Sequence, residues 1–404
     1  MSSTLENSGG TDSILVPPGA ALHSTPAEPR ATAPGKAALR VAFLGGGFMA
    51  RVHSRAARMA GAELVGIATS SPESGREAAK TLGISQSFDS AEQLLNDPSI
   101  DVVHICSPNA THADFARQAI AAGKHVVCEK PLATSLELAK GLVELAEAAG
   151  VVATVPFVYR YHPMVRELRR RVIEGEAGSL FSVTGSYLQD WLLHPSDDNW
   201  RVTVDDGGPS RAFADIGSHL VDLLEFVTND RIVQLTAQIQ TVHNRRGGEL
   251  QQQNEDQAVL LIQTEQGAIG TLFVSQVAPG RKNALVIELA GSEESLRFEQ
   301  ENPENLWVGR RVGSQLLTRD PDSLTGDAKR LSTVPAGHPL GYQDAFNAFV
   351  ADTYAAIETG EVPSGTPSFA DGARAVSLTE AVLESSKHRA WIETAMTQES
   401  EVLA

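Results

Sequence analysis

The run Val41–Ala50, VAFLGGGFMA, limits what this chain can fold into more than any other stretch. A short apolar strand stops at Gly45, Gly47 follows two residues later, and Ala50 three after that. In a G-x-G-x-x-(G/A) spacing the first glycine permits a tight turn out of the strand. The second lets bare backbone approach a pyrophosphate, and the third small residue keeps the next helix close to the strand. The helix N-terminus then offers unpaired N–H groups and a positive dipole end. Because the motif lies between an apolar strand and a helix-like segment, ARVHSRAARMA, it reads as a dinucleotide-binding turn. Gly45, Gly47, Phe48 and Met49 are its candidate phosphate-binding residues.

From Leu39 to about Phe157 strand and helix patterns alternate. Short, almost wholly apolar strands (LRVAFLG, AELVGIAT, DVVHIC, GKHVVCEK, VVATVPF) are separated by amphipathic stretches such as PESGREAAKTLG and THADFARQAIAAG. That pattern predicts a parallel sheet covered on both faces, the doubly wound Rossmann arrangement. After Arg160 the rhythm changes. A helix, HPMVRELRRRVIEGEAG, precedes long strand candidates with hairpin signals at Glu265-Gln266-Gly267 and Gly291-Ser292-Glu293. One helix, about Phe213 to Thr228, interrupts the strands, and two more, about Tyr342–Glu358 and Phe369–Ser386, close the chain. The expectation is an α/β protein with a disordered tail over residues 1–37 and an NAD(P)-binding Rossmann domain over 38–157. A substrate-binding and oligomerising α+β domain with an open, mostly antiparallel sheet follows over 158–395. An open sheet face calls for cover, which predicts a homo-oligomer, dimer or tetramer, through the C-terminal sheet.

Composition narrows the partners. The 33 Lys+Arg against 50 Asp+Glu leave a net charge of −17, which argues against nucleic acid and anionic membranes. The two cysteines, Cys106 and Cys128, lie in strand-like runs and read as buried thiols of a reduced, cytoplasmic protein. The Pro- and Ser-rich first residues show no basic segment followed by an apolar core, so no signal peptide is expected. No metal site is expected.

Chemistry should gather at the C-terminal ends of the parallel strands. The second strand ends in Ala68-Thr69-Ser70-Ser71, with no acid for a ribose and Arg76 as the nearest arginine. This leans towards NAD over NADP, with Thr69 and Ser70 at the ribose. Another strand ends in CSPNATH, placing Ser107, Asn109 and His112 near the nicotinamide ribose, although Asn109 could instead cap the following helix. The next ends in CEKPLA, where Glu129 and Lys130 stand at the crevice mouth. A lysine there can hydrogen-bond an alcohol that loses its hydride, and a cationic nicotinamide ring nearby favours its neutral form. A surface salt bridge is the plainer reading. Asp215 and His219 stand four apart in FADIGSHLVDLLEF, one helical face on which a carboxylate can orient an imidazole base, and Asp222 continues it.

The ordered series GGGFMA, SPNATH, CEKPLA and DIGSH resembles the Gfo/Idh/MocA oxidoreductase family, over about Leu39 to Ile392. The resemblance implies a tightly held NAD(P), Lys130 on the reacting hydroxyl, and His219 as general acid/base with Asp215 nearby. The Lys130–Pro131 bond is a candidate for the cis form. SYLQDW, GRKNALVIELAGSEESLRF, GYQDAF and PSFADG look like the subgroup of levoglucosan dehydrogenase and related pyranoside dehydrogenases. On that footing Gln189, Asp190, Trp191, Trp200, Arg201 and Tyr342 are candidates for a sugar pocket, and aromatic faces with amides and carboxylates suit a sugar. Tyr159, Arg160 and His162 line the same site in this reading. The chain departs from the family's F-N-Y-R element with Phe157-Val158-Tyr159-Arg160. Arg160, Arg201, Arg211, Arg281 and Lys282 would suit an anionic sugar or simply pair with the chain's many acids. The expected activity is oxidation of a secondary ring hydroxyl, at C3 of a pyranose or pyranoside, to a keto sugar. One alternative is an NAD-dependent redox glycosidase, in which oxidation, elimination, hydration and re-reduction recycle NAD. The other is a non-catalytic NAD-sensing regulator.

Overall fold

The computed structural model describes residues 37–246, 250–251 and 254–394. Apart from Ala37, the tail expected over residues 1–37 lies outside the described residues, as does residue 395.

Five strands, β1 (Arg40–Leu44), β2 (Glu63–Ala68), β3 (Val102–Ile105), β4 (His125–Cys128) and β5 (Ala153–Thr154), form a sheet in the order β2-β1-β3-β4-β5. All its pairings are parallel. The strands are mostly apolar and buried, with Arg40, Glu63 and His125 only at their first positions and β3 wholly buried, because helices cover both sheet faces. The helices are α1 (Phe48–Met59), α2 (Pro72–Leu82), α3 (Ala91–Leu95), α4 (Asn109–Ala121) and α5 (Leu136–Ala149). Ser71 caps α2 and Ser135 caps α5 through their side chains, and Gly83 and Gly150 end these helices in the left-handed conformation.

A 3₁₀ turn at Val158–Tyr161 leads into α6 (Pro163–Ile173), β6 (Leu180–Leu188) and α7 (Val204–Gly207). A π-helical turn at Phe213–Gly217 then runs directly into α8 (Ser218–Thr228). The strands β7 (Ile232–Gln240), β8 (Arg245–Arg246), β9 (Leu250–Gln251), β10 (Gln257–Thr264), β11 (Ile269–Ser275) and β12 (Ala284–Gly291) follow. After them come β13 (Ser295–Glu299), β14 (Asn305–Arg310) and β15 (Gly313–Thr318). The chain then forms α9 (Gly326–Leu331), α10 (Tyr342–Thr359), α11 (Phe369–His388) and β16 (Ile392–Glu393).

Nine of these strands make one sheet, ordered β15-β14-β13-β12-β6-β11-β10-β7-β16. It is antiparallel except for β6 and β11, which pair in parallel and make the sheet mixed. Burial alternates along β10, so one face packs on a core that includes Leu220, Leu223, Leu224 and Leu378 from α8 and α11. The other face leaves Phe181, Val259, Leu261 and Ile269 exposed. Helix α10 returns to pack Phe346 and Phe349 with Val41 and Phe43 of β1. The ends of the parallel strands therefore face residues drawn from the second half of the chain. Among the described residues no helix is long and apolar enough to cross a membrane.

Candidate active site

The turn after β1 is built for a ligand. Gly45 has φ +102°, and a Cβ there would lie 2.6 Å from the Cys106 carbonyl oxygen, so glycine is required. A Cβ on Gly47 would meet nothing within 4 Å. No neighbour demands that glycine, and its bare backbone is left open for close approach. Helix α1 starts without a side-chain cap, so its first amides remain available to an anion. Phe48 is 63% exposed at its start. To one side, Thr69 and Ser70 line a cavity of about 410 Å³ with Arg51 of α1. Arg51 corrects the expectation that no arginine stands beside the end of β2, since one turn of α1 carries it there from a distant sequence position. These features fit a dinucleotide: amides for the pyrophosphate, and Thr69, Ser70 and Arg51 for the ribose end.

On the other side the cleft opens into a cavity of about 500 Å³, reached by Phe48, Met49, Glu129 and Lys130. The Lys130–Pro131 bond is cis. Lys130 Nζ donates to the Asp215 Oδ1 at 2.6 Å and to the Asp215 backbone oxygen at 2.7 Å. Asp215 Oδ2 accepts from Gln276 Nε2 at 2.7 Å, and Arg201 Nε stands 3.6 Å from Oδ1. Burial opposes the charge on Asp215, but Lys130 and Arg201 outweigh it and hold the carboxyl well below its usual range. His219 follows one turn later, in the first turn of α8. Burial and the Lys130 charge push its pKa down to about 3, so the ring is neutral. The His219 Nδ1 is buried without a hydrogen-bond partner, and Tyr159 packs on the ring with centroids 5.0 Å apart. The expected Asp215–imidazole bond is therefore replaced. The π-helical turn aims the carboxylate at the lysine and the Gln276 amide instead. The Glu129 and Lys130 side chains do not pair with each other among the described contacts, because Glu129 turns to His53 of α1, with Nε2···Oε1 2.9 Å.

The far wall is an amide and phenol lattice. Tyr159 and Tyr187 meet hydroxyl to hydroxyl at 2.5 Å. The Asn283 Oδ1 accepts from Tyr187 at 2.6 Å and from Gln189 Nε2 at 2.9 Å. Asn283 Nδ2 donates to Tyr159 at 3.1 Å, and Trp191 Nε1 donates to Gln189 Oε1 at 2.8 Å. Tyr342 and Phe346 add further aromatic surface. Sequence reasoning missed Tyr187, Asn283, Gln276 and Phe346. Tyr187 alone carried a signal, since it shares a strand face with Gln189.

The structure brings Tyr159, Gln189, Trp191, Arg201 and Tyr342 together on this cavity and places other expected site residues elsewhere. Arg160 turns away from Tyr159, because consecutive residues of a 3₁₀ turn cannot share a face. It forms a bidentate pair with Asp222 and also reaches Asp371 at 2.9 Å. His162 is buried and stacked on Tyr159, lining a separate cavity beside α10. Asp190 holds Lys282 at 2.7 Å and the Gly280 amide at 3.0 Å. Trp200 lies under the Arg201 guanidinium at 4.2 Å and does not line the cavity. Of the five basic residues proposed for an anionic sugar, only Arg201 reaches the cavity. Arg211 pairs with buried Asp256, and Arg281 lies on the sheet's open face.

After β3, where the sequence places the nicotinamide ribose, Ser107 is bonded to Thr111 at 2.6 Å. Asn109 does not cap α4, whose cap position is Pro108, but donates to the Gly207 carbonyl at 2.9 Å. His112 is buried, with its ring nitrogens 2.7 Å from the Pro131 oxygen and 2.9 Å from the Ser107 oxygen. It braces the two loops that carry Ser107 and Lys130. Cys128 is buried, whereas Cys106 is partly exposed, and neither forms a disulfide.

Comparison with known proteins agrees with this geometry. Residues 39–157 match the family model described as an oxidoreductase family with an NAD-binding Rossmann fold, and residues 165–297 match the GFO/IDH/MocA C-terminal domain. The chain is 31% identical to the levoglucosan dehydrogenase of Pseudarthrobacter phenanthrenivorans, over 88% of this chain and 98% of its relative. It is 27% identical to the glucose-6-phosphate 3-dehydrogenase of Bacillus subtilis, over 85% and 95% respectively. A solved levoglucosan dehydrogenase in complex with NADH and L-sorbose superposes with a TM-score of 0.84 at 30% identity, covering 89% of this chain and all of that one. An oxidoreductase domain protein from Kribbella flavida gives 0.83 at 33% identity, covering 89% of this chain and 100% of that one. This chain belongs to the Gfo/Idh/MocA family of oxidoreductases, NAD-dependent enzymes acting on CH–OH groups.

Proposed function

We propose that this protein is a sugar dehydrogenase that oxidises a secondary ring hydroxyl, at C3, of a pyranose or pyranoside to the keto sugar. One observation carries the reading. A lysine held by a carboxylate, and a neutral imidazole, border one aromatic and amide-lined cavity beside the glycine turn. Bound NAD⁺ supplies the hydride acceptor.

The protein's own groups handle the proton and the orientation. Lys130 uses two of its three N–H donors on Asp215, and the third has no partner among the described residues. That donor serves the sugar oxygen and favours negative charge growing there. His219, neutral at ordinary pH, takes the hydroxyl proton. Asp215, fixed by Gln276, keeps the lysine aimed. Trp191 and Tyr342 offer faces to sugar C–H surfaces, while Gln189 and Arg201 bind flanking hydroxyls. The kinship with a glucose-6-phosphate 3-dehydrogenase supports C3 as the oxidised carbon. The sheet face carrying Phe181, Val259, Leu261 and Ile269 supports assembly of two or four copies.

The test is spectrophotometric. NADH formation is followed across pyranosides, anhydrosugars and cyclitols, and products are identified by NMR. NADH with a 3-keto product supports the reading. Glycoside cleavage at catalytic NAD⁺ without net NADH would replace it with redox glycosidase chemistry. Binding of NAD⁺ without turnover of any sugar would overturn it in favour of a sensor. Light scattering of the wild type beside Ile269→Lys tests the assembly: an oligomer lost in the variant supports the sheet face.

A further inference from the structure

Four buried polar side chains that play no part in the chemistry above form one continuous string. Tyr354 of α10 meets His104 Nε2 at 2.8 Å, His104 Nδ1 meets His53 Nδ1 at 2.8 Å, and His53 Nε2 meets Glu129 Oε1 at 2.9 Å. Both imidazoles are fully buried, Tyr354 is 3% exposed, and Glu129 is 6% exposed at the cleft end. The second Glu129 oxygen accepts the Lys130 backbone N–H at 3.2 Å. The string therefore runs from a C-terminal helix, through β3 and α1, to the tip of β4.

Its ends set its polarity. A carboxylate only accepts, so His53 carries its proton on Nε2. That leaves Nδ1 of His53 as an acceptor, so His104 donates from its own Nδ1. The His104 Nε2 is then an acceptor and takes the Tyr354 O–H. Reversal would strand the phenol proton, which has no other partner among the described residues, and would set a nitrogen lone pair against the carboxylate. Burial fits the neutral forms, since it pushes His104 well below and Tyr354 well above their ordinary values. Burial works against charge on Glu129 too, yet the His53 bond and the nearby Lys130 bring it below its usual range.

We propose that His53, His104 and Tyr354 are positioning residues that lock Glu129 as an anion at the nicotinamide side of the cleft, biasing the bound cofactor towards its oxidised form. The inference rests on the cofactor reading. A dinucleotide held by the glycine turn of such a sheet would extend to two sides, its adenosine half towards β2 and its nicotinamide half towards β3 and β4. Glu129 stands at that second end, with Asp215 already spent on Lys130 and Gln276. The oxidised nicotinamide ring is cationic and the reduced ring is neutral, so a fixed anion favours the first over the second.

Two measurements test this. In the ¹⁵N-histidine NMR spectrum of the full chain, His53 is expected as the Nε2–H tautomer and His104 as the Nδ1–H tautomer. Opposite tautomers, or an imidazolium at neutral pH, would overturn the string. Dissociation constants for NAD⁺ and NADH are then compared for the wild type, Glu129→Gln, Tyr354→Phe and the double variant. Glu129→Gln is expected to weaken NAD⁺ relative to NADH by about tenfold, and Tyr354→Phe, which removes one oxygen, by about threefold in the same direction. The double variant is expected to match Glu129→Gln alone. A ratio unmoved by Glu129→Gln or by Tyr354→Phe, or additive effects, sinks the proposal while the cofactor reading stands. Failure of the wild type to bind either dinucleotide sinks that reading itself.

Discussion

Two cation–carboxylate clusters, both begun by residues that one sequence reading placed in a single pocket, end up with opposite characters. In the cleft, Lys130 gives Asp215 two of its three donors and keeps one unspent. Around it His219 Nδ1 and Gln276 Oε1 are buried without partners. The second cluster lines a cavity of about 300 Å³ at α8 and α11. There Arg160 grips both oxygens of Asp222, reaches Asp371, and lies 4.8 Å over the Phe226 ring. Arg374 and Glu225 complete the same surroundings with their own bonds. Charge type and burial are alike in the two clusters. In the cleft the bonding capacity left unmet borders an open cavity, and buried polar groups tolerate that only at a cost.

The comparison breaks first at Lys130. Lys130→Met keeps much of the stem and removes the donor. It is expected to lower kcat/KM by about a thousandfold and to lower the thermal midpoint less than Arg160→Met does, because Gln276 and Arg201 still hold Asp215. Activity within tenfold of wild type would take Lys130 out of the chemistry. Arg160→Met should do the reverse. It strands Asp222 and Asp371, half a buried network, at a cost of about 3–5 kcal/mol in urea unfolding. Activity per folded molecule at low temperature is expected within about threefold of wild type. A kinetic collapse without loss of stability would return Arg160 to the site.

The same contrast explains how much could be read in advance. The glycine turn, Lys130 and the Asp215–His219 pair are local signals, each a few residues of one element, and the parallel strands announce themselves by apolar runs. Arg160 misled because it adjoins Tyr159 in sequence while a 3₁₀ turn sends the two to different sides. Asp190 misled in a similar way. It follows β6 by two residues, where strand alternation no longer holds, and it is spent on Lys282. Gln276 and Asn283 were illegible for another reason. Their partners lie 61 and 124 residues away for Asp215 and Tyr159, brought close only by the mixed sheet. The parallel pairing of β6 with β11 was hidden too, since hairpin turns report neighbours in sequence and not the strand that slips between them.

Gln276 offers a smaller test of the cleft cluster. Its amide is the second support of Asp215, so Gln276→Leu should loosen the carboxylate and hence the lysine it aims. The expected loss is about tenfold in kcat with KM little changed, the pattern of a group that acts through another. Gln276→Glu places a like charge beside Asp215 and is expected to cost more than the leucine. Equal losses in KM and kcat for both variants would mean that the cavity itself had collapsed.

The smallest effect distinguishes the clusters by their response to acid. A histidine whose folded pKa is about 3 and whose unfolded value is near 6.5 binds more protons when unfolded throughout that interval. Stability therefore rises with pH between about 3 and 6.5, and acidification through this window takes away the share due to keeping His219 neutral. His219→Leu removes the titration. Between pH 7 and 4.5 the variant is expected to lose about 1–2 kcal/mol less than the wild type, measured by urea unfolding at each pH. Asp215, held below the usual carboxylate range, adds its own acid loss only beneath about pH 4, outside this window. Arg160 stays charged throughout, but it is the charge that offsets burial on Asp222, whose pKa stands at about 7, and on Asp371, so Arg160→Met should cost more stability at neutral pH than in acid and tilt the curve the opposite way to the His219 contribution. Parallel curves for His219→Leu and wild type would show that the imbalance of bonding capacity in the cleft is relieved by something other than a neutral imidazole.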